Sequence, residues 1–303
     1  MAQFGRLLTA MITPFTADGA VDFAKAAELA KHLVASGSDG LVITGTTGEG
    51  PTLSEDEKLE MYRTTKRAVG GAAAIVAGTG NYNTAESIHL TREAEKCGVD
   101  GALLVVPYYN NPPQEGLYQH FKAIAAATSL PCILYNVPSR SPRNLEASTL
   151  KRLAEIDNIV AVKEASGSLK QFHAVISTMP DDFLMYSGND EDTHTIMALG
   201  GYGVVSVSAH LVGGQTKRMV ELAAAGRTAE AAAIHCQLLP LVEALFWQPN
   251  PMPLKAAFNL LGYPVGKPRL PLVDLTDAEK EHLRSVLAQY QFDAYLSKQA
   301  VAA

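Results

Sequence analysis

Of the fourteen lysines in the chain, Lys163 stands apart because it closes the apolar run Ile159-Val160-Ala161-Val162, whereas the other thirteen read as lying on helical or turn segments among polar neighbours. An ordinary lysine amine is an ammonium at neutral pH and cannot attack a carbonyl. Burial in an apolar pocket lowers its pKa and frees a usable fraction of amine, which can then form an imine with a ketone or aldehyde. Period-2 alternation puts Ile159, Ala161 and Lys163 on one face of the run. The same position also suits a lysine that pairs with an outside carboxylate or snorkels to solvent. The preceding apolar run ends Ile133-Leu134-Tyr135-Asn136, so Tyr135 is also at a strand end. A phenol beside such an amine can pass protons as a carbinolamine loses water. A hydrogen-bonded tyrosine filling the core would occupy that position equally well.

Other segments supply groups for an anion. Gly45-Thr46-Thr47-Gly48-Glu49-Gly50 offers hydroxyls and backbone N–H groups in a turn whose glycines permit close approach. It matches neither a P-loop nor a dinucleotide fingerprint, and Gly78-Thr79-Gly80-Asn81 lacks the third glycine of the latter. Tyr108 and Tyr109, set between Pro107 and Pro112-Pro113, suit an interface or a lid over a site. Arg140 follows the Tyr135 run and can either clamp a carboxylate or lie on the surface. Asp190-Glu191-Asp192-Thr193-His194 reads as the acidic first turn of a helix, and the eight histidines show no His-x-x-x-His pair. No metal is expected.

These residues need a frame that brings strand ends together. Eight short apolar runs fall at 7–13, 40–44, 73–79, 101–107, 132–136, 158–164, 183–188 and 203–208. Amphipathic stretches separate them, such as 24–35, 54–69, 84–97 and 115–128, and Ser54-Glu55-Asp56-Glu57 is a capping-box start. Strands apolar on both faces and divided by helices predict a parallel sheet, and eight units fit a (β/α)8 TIM barrel with a C-terminal helical extension. An open doubly wound sheet fits the same pattern. The expected division is a catalytic barrel over 1–226 and a helical region over 227–303, including helices at 230–247, 253–262 and 277–296.

A formal charge of -6 without a basic stripe argues against nucleic-acid binding. No uninterrupted apolar window reaches membrane-spanning length, and the first residues lack a leader pattern, so a cytoplasmic protein with no membrane partner is expected. Cys97, Cys132 and Cys236, odd in number and far apart, read as buried free thiols.

Together, GTTGEG (45–50), PYYNNPPQEGLYQHF (107–121), ILYNVPSR (133–140) and VAVKEASG (160–167) resemble the dihydrodipicolinate synthase and N-acetylneuraminate lyase family over about residues 4–275. The resemblance implies that Lys163 forms an imine with pyruvate and that Thr46 and Thr47 hold its carboxylate. Tyr135, Thr46 and Tyr109 would form a hydroxyl proton relay, with Tyr109 reaching into the active site of a neighbouring subunit. Gly188 and Val205 would line the pocket. Arg140 matches the branch that condenses pyruvate with L-aspartate 4-semialdehyde to 4-hydroxy-tetrahydrodipicolinate, in lysine and diaminopimelate biosynthesis. A sister aldolase acting on a sialic acid or 2-keto-3-deoxy sugar acid is the alternative. The resemblance further implies a homotetramer, a dimer of dimers, with no cofactor. In lysine-regulated relatives the effector pocket matches Gly50, Pro51, Glu55, Lys58, Tyr82, Glu86 and Tyr108, and a cationic Lys58 there implies weak inhibition by L-lysine.

Overall fold

The structure, a computed structural model, describes residues 4–296. The eight apolar runs form parallel strands: β1 (Leu7–Ala10), β2 (Gly40–Ile43), β3 (Ala74–Gly78), β4 (Gly101–Val105), β5 (Cys132–Asn136), β6 (Ile159–Glu164), β7 (Leu184–Ser187) and β8 (Gly203–Ser206). Each pairs with its sequence neighbours, and β8 returns to β1, so the sheet closes into a barrel and the open-sheet alternative is excluded. The strands alternate with α1 (Phe23–Ala35), α2 (Glu55–Val69), α3 (Thr84–Lys96), α4 (Gln114–Ala125), α5 (Ala147–Leu153), α6 (Leu169–Thr178), α7 (Thr193–Ala198) and α8 (Ala209–Ala224).

The double-sided apolarity of the strands has a direct use. Leu8, Val42, Val76, Leu103, Ile133, Ala161, Tyr186 and Val205 pack inside the barrel. Their neighbours Leu41, Ile75, Ala102, Leu134 and Val162 face outward, beneath the helices. Helix α1 shows the matching stripe, with Ala26, Leu29, Ala30 and Leu33 buried at helical spacing. The Ser54–Glu57 capping box at the start of α2 is present, and Glu57 also receives Arg269, at 2.6 and 2.9 Å.

One strand departs from simple alternation. Cys132 pairs with Ile159 but Ile133 pairs with Ala161, leaving Val160 as an extra residue on β6. This bulge re-aims the strand. Ile159 therefore packs in the outer layer, not on the inner face with Ala161 as strict alternation would have it. Lys163, two residues beyond Ala161, keeps the inward phase.

After the barrel come α9 (Thr228–Phe246), α10 (Met252–Leu260) and α11 (Asp277–Leu287), so the last helix is shorter than the 277–296 expected. Among the described residues α9 is long and apolar enough, by length and composition, to cross a membrane. It lies against α8 through buried Ala231, and its buried Leu238, Leu241 and Leu245 join the main core. The expectation of buried thiols holds for Cys132, while Cys97 is half-buried and Cys236, on the outward face of α9, is exposed.

Candidate active site

All eight strands point the same way, so the ends of β2, β5, β6, β7 and β8 converge at one mouth. There Tyr135 and Lys163 are register partners on adjacent strands. The Lys163 Nζ sits 4.2 Å from the centroid of the Tyr135 ring and makes no hydrogen bond or ion pair among the described residues. Burial, with the side chain 6% exposed, pulls the Lys163 pKa down to about 8. The Asp190 carboxylate acts against that shift and the Arg140 charge adds to it. Burial likewise pushes the Tyr135 phenol up to about 12, opposed by Arg140 and by a hydrogen bond with Thr46. The result is a largely protonated phenol beside an amine that is partly free near neutrality.

A cavity of about 560 Å³ opens over this pair. Its wall includes Thr46, Tyr135, Val137 and Arg140, and it runs on to Lys58, Tyr82, Glu86 and Tyr108. Lys163 is not on the wall and lies one side chain deeper, against Tyr135. The turn after β2 is shaped by close packing: a Cβ on Gly50 would come 2.2 Å from the Thr44 carbonyl oxygen. Thr44 and Glu49 flank the two hydroxyls with φ of +56° and +54°, a region that non-glycine residues seldom occupy. The Thr47 hydroxyl accepts a 2.8 Å hydrogen bond from Asn250. Gly188 follows β7 with its N–H donating to the Glu164 carbonyl at 2.7 Å, and a Cβ there would lie 2.7 Å from the Ala165 Cβ. Val205 is buried in the same inner cluster as Tyr135.

The structure thus brings Lys163, Tyr135, Thr46, Thr47, Gly188, Val205 and Arg140 to one end of the barrel. Tyr109 is not brought in. It is 91% exposed, at φ +71°, and is absent from the cavity wall of its own chain.

Asp190 lies in a 3-10 turn that leads into α7, as an acidic first turn should. It is also buried, and its Oδ1 accepts from Ser206 Oγ at 2.5 Å and Ser208 Oγ at 2.8 Å. Its Oδ2 accepts from the N–H groups of Val207 at 2.8 Å and Ser208 at 3.2 Å. The carboxylate fastens the exit of β8 while facing the Lys163 amine electrostatically. Lys255, grouped by sequence with the lysines among polar neighbours, is placed otherwise by the structure. It is 1% exposed on α10, ion-paired at 2.5 Å to an equally buried Glu49, which belongs to the Gly45–Gly50 turn. Its signal was available: Lys255 lies between Met252-Pro253-Leu254 and Ala256-Ala257-Phe258, an apolar setting unlike that of the other helical lysines. Among the described residues no group of three or more His, Cys, Asp or Glu can hold a metal ion.

The dihydrodipicolinate synthetase family model matches residues 3–290. A 4-hydroxy-tetrahydrodipicolinate synthase from Moorella thermoacetica is 58% identical over 287 residues, covering 95% of this chain and 98% of the relative. One from Thermosynechococcus vestitus is 55% identical, covering 95% and 97%. Among solved structures, DHDPS from Cyanidioschyzon merolae with lysine bound superposes with a TM-score of 0.93 at 47% identity, covering 95% of this chain and 98% of that one. Dihydrodipicolinate synthase from Acinetobacter baumannii complexed with pyruvate gives 0.92 at 39% identity, covering 95% and 98%.

Proposed function

The chain belongs to the dihydrodipicolinate synthetase family, and from that premise we propose that Lys163 is the nucleophile of an imine mechanism run at the barrel mouth. The protein is a lyase that condenses pyruvate with L-aspartate 4-semialdehyde to 4-hydroxy-tetrahydrodipicolinate in lysine and diaminopimelate biosynthesis. The observation that carries the residue assignment is an unpaired, buried amine with its pKa near 8, in contact with Tyr135.

The Lys163 amine attacks the pyruvate ketone, and Tyr135 passes the proton that lets water leave the carbinolamine. Loss of a methyl proton gives the enamine, whose carbon attacks the aldehyde. The amine of the semialdehyde then closes onto the imine carbon and expels Lys163. Thr46, hydrogen-bonded to Tyr135, continues the proton path, and Thr46 and Thr47 take the pyruvate carboxylate. Gly188 and Val205 shape the floor. Tyr109 acts in trans as the third hydroxyl of the relay, within a homotetramer; its exposure and left-handed backbone support a role at a neighbour's site. The division proposed is a catalytic barrel over residues 1–226 and a helical region over 227–303, whose described part, up to residue 296, braces the barrel. The free cysteines support a cytoplasmic location.

Arg140 is exposed on the cavity wall, and its charge is felt by both Lys163 and Tyr135. It takes the carboxylate of the semialdehyde. Arg140→Ala is expected to raise the KM for the semialdehyde by tenfold or more, while the KM for pyruvate moves less than about threefold. Equal rises for both substrates would remove this role.

A further inference from the structure

The Gly45–Gly50 turn presents Gly45, Thr46 and Gly50 to the cavity, whereas Thr47 and Glu49 are absent from its wall and engage the C-terminal segment. Three contacts cross that junction. Asn250 Nδ2 donates to Thr47 Oγ1 at 2.8 Å, Lys255 Nζ meets Glu49 Oε1 at 2.5 Å, and the Arg269 N–H donates to Glu49 Oε2 at 2.8 Å. The side chains that meet across this junction are closed off: Asn250 is 6% exposed, Lys255 1% and Glu49 3%. Lys255 Nζ also lies 3.8 Å from the Phe15 ring centroid, and the Arg269 guanidinium sits 4.5 Å from the same ring.

Two features of the turn need such support. Left-handed Glu49 persists only where its surroundings hold it. In addition, a threonine hydroxyl has one proton to donate. Because Asn250 donates to Thr47, the Thr47 proton is left for another acceptor. We propose that Asn250 and the buried Glu49–Lys255 ion pair are positioning residues for pyruvate, fixing the turn and the Thr47 hydroxyl so that its proton meets the ligand carboxylate. The proposal rests on the reading that Thr46 and Thr47 hold that carboxylate. The C-terminal segment then sets pyruvate affinity without touching pyruvate.

The test uses the full chain as Thr47→Val, Asn250→Leu, Lys255→Met and the double variant Glu49→Gln/Lys255→Met. Thermal unfolding of each is measured, then kcat and the KM for each substrate. Asn250→Leu and the double variant, which leaves no lone buried charge, are expected to raise the KM for pyruvate about tenfold, the loss of one useful hydrogen bond. The KM for the semialdehyde and kcat should stay within about threefold. If Thr47→Val leaves the KM for pyruvate unchanged, the carboxylate assignment itself fails. If Thr47→Val raises it but Asn250→Leu and the double variant do not, the positioning proposal fails. It also fails if both KM values rise together, or if kcat falls with the KM for pyruvate unmoved. Should the ion-pair variants not fold, Asn250→Leu alone decides on the same terms.

Discussion

Lys163 and Lys255 are both buried, and burial draws each from an ordinary 10.5 to about 8. Their surroundings differ in one respect. Lys255 has the Glu49 carboxylate at 2.5 Å and a side chain sealed at 1% exposure. The carboxylate whose charge reaches Lys163, that of Asp190, is already taken up by Ser206, Val207 and Ser208. Desolvation alone therefore does not make a nucleophile. On the proposed mechanism, what would make one is desolvation with the counter-charge committed elsewhere and a phenol, Tyr135, in contact.

The sharpest way to break this contrast is to replace each lysine by methionine, which keeps most of the volume and removes the charge. Lys163→Met is expected to lose nearly all turnover with stability within about 1 kcal/mol, since an unpaired buried amine contributes little to folding. Lys255→Met is expected to lose about 3–5 kcal/mol of stability, because it strands a buried carboxylate. Denaturant unfolding and initial rates on the two proteins check this, and similar stability losses for both would erase the distinction.

A smaller effect follows from the Lys163 pKa. Below about 8 the ammonium dominates, so only roughly a tenth of the enzyme carries free amine at pH 7. The kcat/KM for pyruvate should therefore rise about tenfold per pH unit up to pH 8 and then level. A profile flat between pH 6 and 8 would contradict the shift.

The smallest effect concerns a third lysine, at the far end of the cavity. Half-buried Lys58 has its pKa lowered by burial, and Glu55 and Glu86 counter that shift. Its ammonium shares the cavity wall with Glu86, whose charge it already feels. Like-charge repulsion at 4 Å is worth about 1 kcal/mol even in water, about fivefold in affinity. Millimolar L-lysine should inhibit weakly, and Lys58→His should strengthen inhibition. Strong inhibition of the unaltered enzyme would show that Lys58 turns away.

The same contrast explains what could be read from the sequence. All eight strands were legible, because each is an apolar run between helical periods and local pattern carries the signal. The placement of Lys163 and Tyr135 near strand ends was legible for the same reason. Ile159 was placed on the wrong face because a bulge at Val160 depends on pairing with β5, which no single run reports. Asp190, Asn250 and Lys255 were not legible as site-supporting residues because their partners are distant in the chain: Ser206, Thr47 and Glu49 lie 16, 203 and 206 positions away. The reading of Tyr109 needs a second chain.

The central claim is that Lys163, rather than Lys255 or any other lysine, forms the imine. Borohydride reduction of the enzyme in the presence of pyruvate, followed by peptide mass mapping, tests it most directly. The account predicts a single reduced pyruvate adduct on the peptide containing Lys163, absent without pyruvate and absent in Lys163→Met. An adduct on Lys255 or another lysine, or no adduct at all, would contradict it.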